Sequence, residues 1–231
     1  MGALSLVGTA VLPSGTASAT EDSSASQLLS DALSAVNQSG SMHFVDKTTV
    51  NGTTQTLEGV ISAPTAGETL TSSAPLQVDL IGGLIYVTGN EEALEQALAI
   101  TAAQAQPYAN KWIVVHSTDA PFQLLAQDLT ISSTINVFTP TQKGLKIGKL
   151  QKIGKIRALP ITGISGNLPK GTSGSATIFV SPKAPHLPLG GSLVVGNKTG
   201  RLSEVAVFND WGAKVSLTAP TGAIPFSSVL G

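Results

Sequence analysis

The chain has 231 residues with 13 basic and 14 acidic side chains, so it is close to neutral. Hydrophobic residues reach 42%, which excludes the composition of a disordered chain, while charged residues are only 12% and aromatics 4%. There is no cysteine, which removes disulfides, thiolate metal sites, thiol nucleophiles and lipid attachment through Cys.

The N-terminus carries an apolar stretch, Ala3 to Leu12, followed by Ala17-Ser18-Ala19. An apolar core before an A-x-A site is the pattern of a secretory signal, with cleavage expected after Ala19. Residues 1–23 are therefore set apart as a targeting or disordered segment, and residues 24–231 are expected to form a single domain. The first helix is expected over Ser24–Asn37, with Ser24 and Gln27 as a capping box and Leu28, Leu29, Ala32, Leu33 and Val36 as its apolar stripe. Strands follow at His43–Val50 and Gln55–Ile61, joined by Asn51-Gly52, a residue pair suited to a tight hairpin turn.

A second hairpin joins Leu76–Ile81 to Leu84–Thr88 through Gly82-Gly83. Pairing Ile81 with Leu84 puts Leu76, Val78, Leu80, Ile85 and Val87 on one apolar face. Asn90 should cap a helix that runs towards Pro107, with Glu91 and Glu92 in its first turn. A strand at Lys111–His116 alternates Trp112 with Val114. A third helix begins at Asp119-Ala120-Pro121 and carries Phe122, Leu125, Ala126 and Leu129. Further strands are expected near Ile156–Thr162, Ala176–Val180, Gly191–Val195, Leu202–Phe208 and Lys214–Leu217. Helices early and strands late indicate an α+β fold with one large antiparallel sheet.

The order of several segments resembles a known family. These are Gly40-Ser41-Met42-His43 after the first helix, Ile85-Tyr86-Val87, then Lys111-Trp112-Ile113. Later come Thr177-Ile178-Phe179-Val180, Leu187-Pro188-Leu189, Val205-Ala206-Val207-Phe208-Asn209-Asp210-Trp211-Gly212, Val215 and Ala219-Pro220. Together, over about residues 26–222, they resemble the LppX/LprG-type lipoproteins of actinobacteria, relatives of the LolA/LolB lipoprotein carriers. The resemblance implies a curved antiparallel half-barrel with helices across its concave face. It also implies an apolar cavity that takes acyl chains of envelope lipids. Members are usually anchored through a lipidated Cys; the absence of Cys here implies a soluble secreted member, or a truncated or engineered form.

Leu76, Val78, Leu80, Ile85, Val87, Trp112, Val114, Leu125 and Leu129 are the expected cavity wall. Charge is unevenly spread. Residues 1–128 hold 12 acidic and two basic side chains, and residues 129–203 hold ten basic and no acidic ones. Lys146, Lys149, Lys152, Lys155 and Arg157 lie in the densest basic run. They suggest a rim for anionic headgroups or a membrane surface; the alternative is that the two halves neutralise each other in one fold. Nucleic acid is not indicated, because no aromatic residue interrupts the basic run.

His43, His116 and His186 lack metal-ligand spacing, and G-x-S-x-G, P-loop and G-x-G-x-x-G motifs are absent. The expectation is a monomeric, non-enzymatic lipid-binding protein outside the cytoplasmic membrane, without metal or cofactor. A secreted interaction protein with a filled core is the competing reading, and a hydrolase is a distant third.

Overall fold

The structure, a computed structural model, describes residues 17–153, 156–166, 168, 172–197 and 200–231, with side chains from residue 24 onward. The apolar stretch Ala3–Leu12 lies outside the described residues. Helix α1 spans Ala17–Ser39. It begins seven residues before the expected start, so Ser24 lies inside the helix rather than capping it. Ala25, Leu29, Ala32 and Val36 form its buried stripe, and Gly40, at φ 73°, turns the chain into the sheet.

Strands β1 (Ser41–Val50), β2 (Thr53–Ser62), β3 (Thr65–Thr71), β4 (Leu76–Ile81) and β5 (Leu84–Gly89) form an antiparallel meander. Asn51-Gly52 and Gly82-Gly83 all take positive φ, as two-residue hairpin turns of the primed type require. Ile81 pairs with Leu84, the expected register. Strand β3 has no counterpart in the sequence reading.

The expected long helix after Asn90 is broken. Asn90 caps α2 (Glu91–Leu98) by accepting a hydrogen bond from the Ala93 amide, and Ala99 ends it at φ 53°. Thr101 and Gln104 then form a capping box on α3 (Ala102–Ala105), followed by a short 3-10 turn over Gln106–Tyr108. After β6 (Ile113–Val115), helix α4 (Phe122–Asp128) is separated from α5 (Ile131–Val137) because Thr130 opens a second capping box with Ser133. Leu129 thus lies in the joint between two helices and is not part of one continuous stripe.

The remaining strands are β7 (Lys146–Ile147), β8 (Gln151–Ile153), β9 (Ile156–Ile164), β10 (Ser173–Val180), β11 (Pro188–Gly196), β12 (Arg201–Asn209) and β13 (Ile224–Pro225), before α6 (Ser227–Leu230). The sheet runs β13-β6-β5-β4-β3-β2-β1-β12-β11-β10-β9-β7, with β8 also paired to β9. It is antiparallel apart from the β6–β13 pair. It stays open, and its end strands β13 and β7 have two residues each, a short edge that offers little template for further pairing.

The fold is therefore α+β, a half-barrel of one sheet with helices on its concave side. The register defines the two faces. Met42, Phe44, Ile61, Ala66, Val78, Ile85, Val87, Ile113, Val115, Ala206 and Phe208 point inward, and the buried residues of α1 and α2 join them in one core. Phe138 packs edge-on against Phe208 with ring centroids 5.7 Å apart. Gly191 makes this possible, since a Cβ there would lie 2.2 Å from Phe138 Cγ.

Lys214–Leu217 is not a strand. β12 lies in the middle of the sheet and β13 at one edge, so the connecting chain must cross the sheet. It crosses the convex face: Ser41 Oγ donates to the Ala213 carbonyl at 2.6 Å, and a Cβ on Gly67 would lie 2.8 Å from Leu217 Cδ1.

Candidate functional site

A cavity of about 340 Å³ lies where the C-terminal end of α1 meets the inner face of the sheet. Val36 and Asn37 of α1, Ile61 of β2 and Leu80 of β4 form one side. The turn Ala63-Pro64-Thr65, whose Ala63–Pro64 bond is cis, forms its rim. Ala126 of α4, and Leu129 to Ser132 in the joint and first turn of α5, close the other side. The wall is mainly aliphatic. Its size falls at the small end of ligand pockets, ~300–1,000 Å³.

Of the nine expected wall residues, Leu80 and Leu129 line this cavity. Val78, Ile85 and Val87 share the inner face as expected, but they are fully enclosed in the core. Leu76 and Leu125 are half-buried against that core. Val114 is a correction. It pairs with Tyr86, whereas Ile113 pairs with Val87 and Val115 with Ile85. Val114 therefore faces away from Val87, and the inward residues of β6 are Ile113 and Val115. Trp112 immediately precedes β6 and is half-buried; it is not part of the cavity wall. The cavity residues that sequence reasoning missed, such as Val36, Ile61 and Ile131, come from segments far apart in the chain. Val36 and Ala126 were marked, but only as parts of helix stripes.

The inner face also carries acids. Asp46 on β1 pairs with Leu57 and Ala206, and Glu204 on β12 pairs with the next inward residue, Thr48. Asp46 is 7% exposed, and its Oδ1 is buried without a hydrogen-bond partner. Its pKa is pushed up to about 8, first by burial and then by the neighbouring Glu204. Glu68, inward on β3 opposite Gly59 and Val78, is raised to about 7 by burial and by Asp128 at the end of α4. At neutral pH much of this carboxylate charge is held as neutral acid, so the concave floor is less polar than its sequence suggests. On the convex face Asp79 is buried and its pKa raised, although Gln77 Nε2 donates to its Oδ2 at 3.0 Å.

The histidines are held locally. His43 Nδ1 lies 2.7 Å from Asn209 Oδ1 and its Nε2 lies 3.0 Å from Glu58 Oε1. His116 is 3.6 Å from Asp119, and His186 Nδ1 is 2.9 Å from the Ser181 carbonyl. Among the described residues, no three His, Asp or Glu side chains gather as metal ligands. Trp211 packs edge-on to Phe208 and donates Nε1–H to the Pro188 carbonyl at 2.8 Å. Lys146, Lys149, Lys152 and Arg157 are all exposed on or beside β7, β8 and the start of β9; Lys155 lies outside the described residues. Among the described residues, no helix is long and apolar enough to cross a membrane.

By sequence, no family model and no curated protein matches the chain. Solved structures do match. Lipoprotein LppX of Mycobacterium tuberculosis superposes with a TM-score of 0.53 at 15% identity, over 85% of this chain and 100% of that one. LprF from Mycobacterium bovis superposes with a TM-score of 0.52 at 14% identity, over 87% and 98%. The fold is thus that of the LppX and LprF structures. A LolA superfamily protein from Nitrosomonas europaea matches at a TM-score of 0.30 and 10% identity over 84% of this chain and 94% of that one, too loose a superposition to carry an argument.

Proposed function

We propose that this chain is a non-enzymatic, monomeric protein of the LppX/LprG type. It works outside the cytoplasmic membrane and holds a lipid or other long apolar molecule by its acyl chain. The observation that carries this reading is the aliphatic cavity of about 340 Å³ between α1, the α4–α5 joint and the concave sheet, in a fold shared with LppX and LprF. Burial of about ten methylenes would contribute about 8 kcal/mol before the entropy of association is subtracted. With that cost still to be subtracted, the dissociation constant is expected to be no tighter than about micromolar, and carriage follows from binding that is reversible.

The volume limits the ligand to about one chain, because the rest of the concavity is occupied by Phe44, Phe138, Phe208 and the inward valines and isoleucines. That filling favours, as a second reading, a secreted interaction protein with no ligand. Titration with a fluorescent fatty-acid probe separates the two. Saturable uptake that Ala126→Trp removes, with the fold intact, supports the carrier; no uptake by the parent protein supports the filled core.

A further inference from the structure

The basic run occupies one edge of the sheet, and its geometry carries more than its composition does. β7 and then β8 pair with successive parts of β9, at Ile161–Thr162 and Ile156–Ala158, at the end of the half-barrel. Lys152 pairs directly with Arg157 across the antiparallel β8–β9 pair. Like charges placed opposite each other on adjacent strands repel. No acidic residue occurs between positions 129 and 203 to relieve this locally. The distant acids do not reach over either: the ion pairs among the described residues are His43–Glu58 and His116–Asp119, and neither involves a Lys or Arg. Among the described residues, intrachain neutralisation is therefore not made through ion pairs.

Aliphatic side chains stand exposed among these cations. Ile147 is 39% exposed, Leu150 38% and Ile156 43%. An edge that presents unpaired cations together with exposed Ile and Leu suits a surface that is anionic outside and apolar beneath. We propose that the β7–β8–β9 edge docks this protein onto an anionic lipid bilayer, with Lys146, Lys149, Lys152 and Arg157 at the headgroups and Ile147 and Leu150 dipping below them. A polyanion in water, such as a nucleic acid, would match the charge but leave the aliphatic side chains without a partner. The edge is separate from the cavity, so this inference does not rest on ligand binding.

Vesicle co-sedimentation tests it. The protein should bind phosphatidylcholine vesicles containing about 30% phosphatidylglycerol and should bind pure phosphatidylcholine weakly. Raising salt from ~20 to ~300 mM should release most of it, as the Debye length shortens. Each surface lysine contributes about five-fold in affinity, so Lys146→Gln, Lys149→Gln and Lys152→Gln together should lose on the order of 100-fold. Lys152→Glu alone should weaken vesicle binding and raise thermal stability, because it turns the repulsive cross-strand pair with Arg157 into an attractive one. Ile147→Ser with Leu150→Ser should remove the part of binding that survives high salt. Equal binding to both vesicle types at low salt would overturn the proposal. So would unchanged binding by the folded triple variant, or retention on heparin stronger than on the anionic vesicles.

Discussion

Asp46→Asn isolates one buried acid on the concave floor. In the folded chain the Asp46 carboxyl keeps its proton up to about pH 8, against an ordinary value of 3.8. The folded state therefore binds more protons than the unfolded state between these values. Stability from this group is fully present below about pH 4 and is lost as pH rises towards 8, at a limiting slope of about 1.4 kcal/mol per pH unit. Between pH ~4.5 and ~7 the limit is about 3.5 kcal/mol, and relaxation of the half-exposed Glu204 beside it lowers the expectation to about 2 kcal/mol. Asn cannot ionise and is close in size. The variant should match the parent at pH ~4.5 and exceed it by about 2 kcal/mol at pH ~7. Urea unfolding followed by tryptophan fluorescence reads this, with Trp211 packed on Phe208 as the core reporter. A stability difference that is the same at both pH values, or a variant weaker at the higher pH, would refute the assignment.

Other variants probe the fold and the cavity separately. Val87→Trp should overpack the core, since Val87 is fully buried between Val78 and Ile113; a loss of about 1–3 kcal/mol in urea unfolding is expected, with probe uptake unchanged. Gly191→Ala should cost about 2–3 kcal/mol in the same assay, because the new methyl group meets the root of the Phe138 ring, which cannot swing aside. Asn90→Ala should lower stability by about 1 kcal/mol through loss of the α2 cap. Glu68→Gln should stabilise the protein above about pH 5 and leave it unchanged below that, since burial and Asp128 raise this acid to about 7.

The two hairpins were legible because Asn51-Gly52 and Gly82-Gly83 impose positive φ locally, and the register of each pair follows from its turn. Strand β3 was not. Its sequence, TAGETLT, places Ala66 and Gly67 where bulky residues would normally announce a strand. Gly67 is small because Leu217 and Asp79 close over it on the convex side, a reason that only the tertiary structure supplies. Lys214–Leu217 failed in the opposite sense: it alternates like a strand, yet it crosses the sheet instead of joining it.

The error at Val114 has a different cause. Ile113, Val114 and Val115 are all buried, and a strand covered on both sides carries no alternation from which to read its inward face. Leu76, Val78, Leu80, Ile85 and Val87 do share one inward face, but apolar pattern does not distinguish a packed core from an empty space. The cavity is set by where α1 ends and by the break at Thr130, which leaves Leu129 in a joint. The basic segment was visible in composition, whereas the Lys152–Arg157 pairing required the strand register.

Native mass spectrometry of the protein purified from its own host shows directly whether the cavity holds an apolar molecule. A fraction of the protein should carry a discrete apolar adduct at about one per chain, released by organic solvent, restored by incubation with free fatty acid, and absent from Ala126→Trp. Bare protein alone, before and after that incubation, would contradict it.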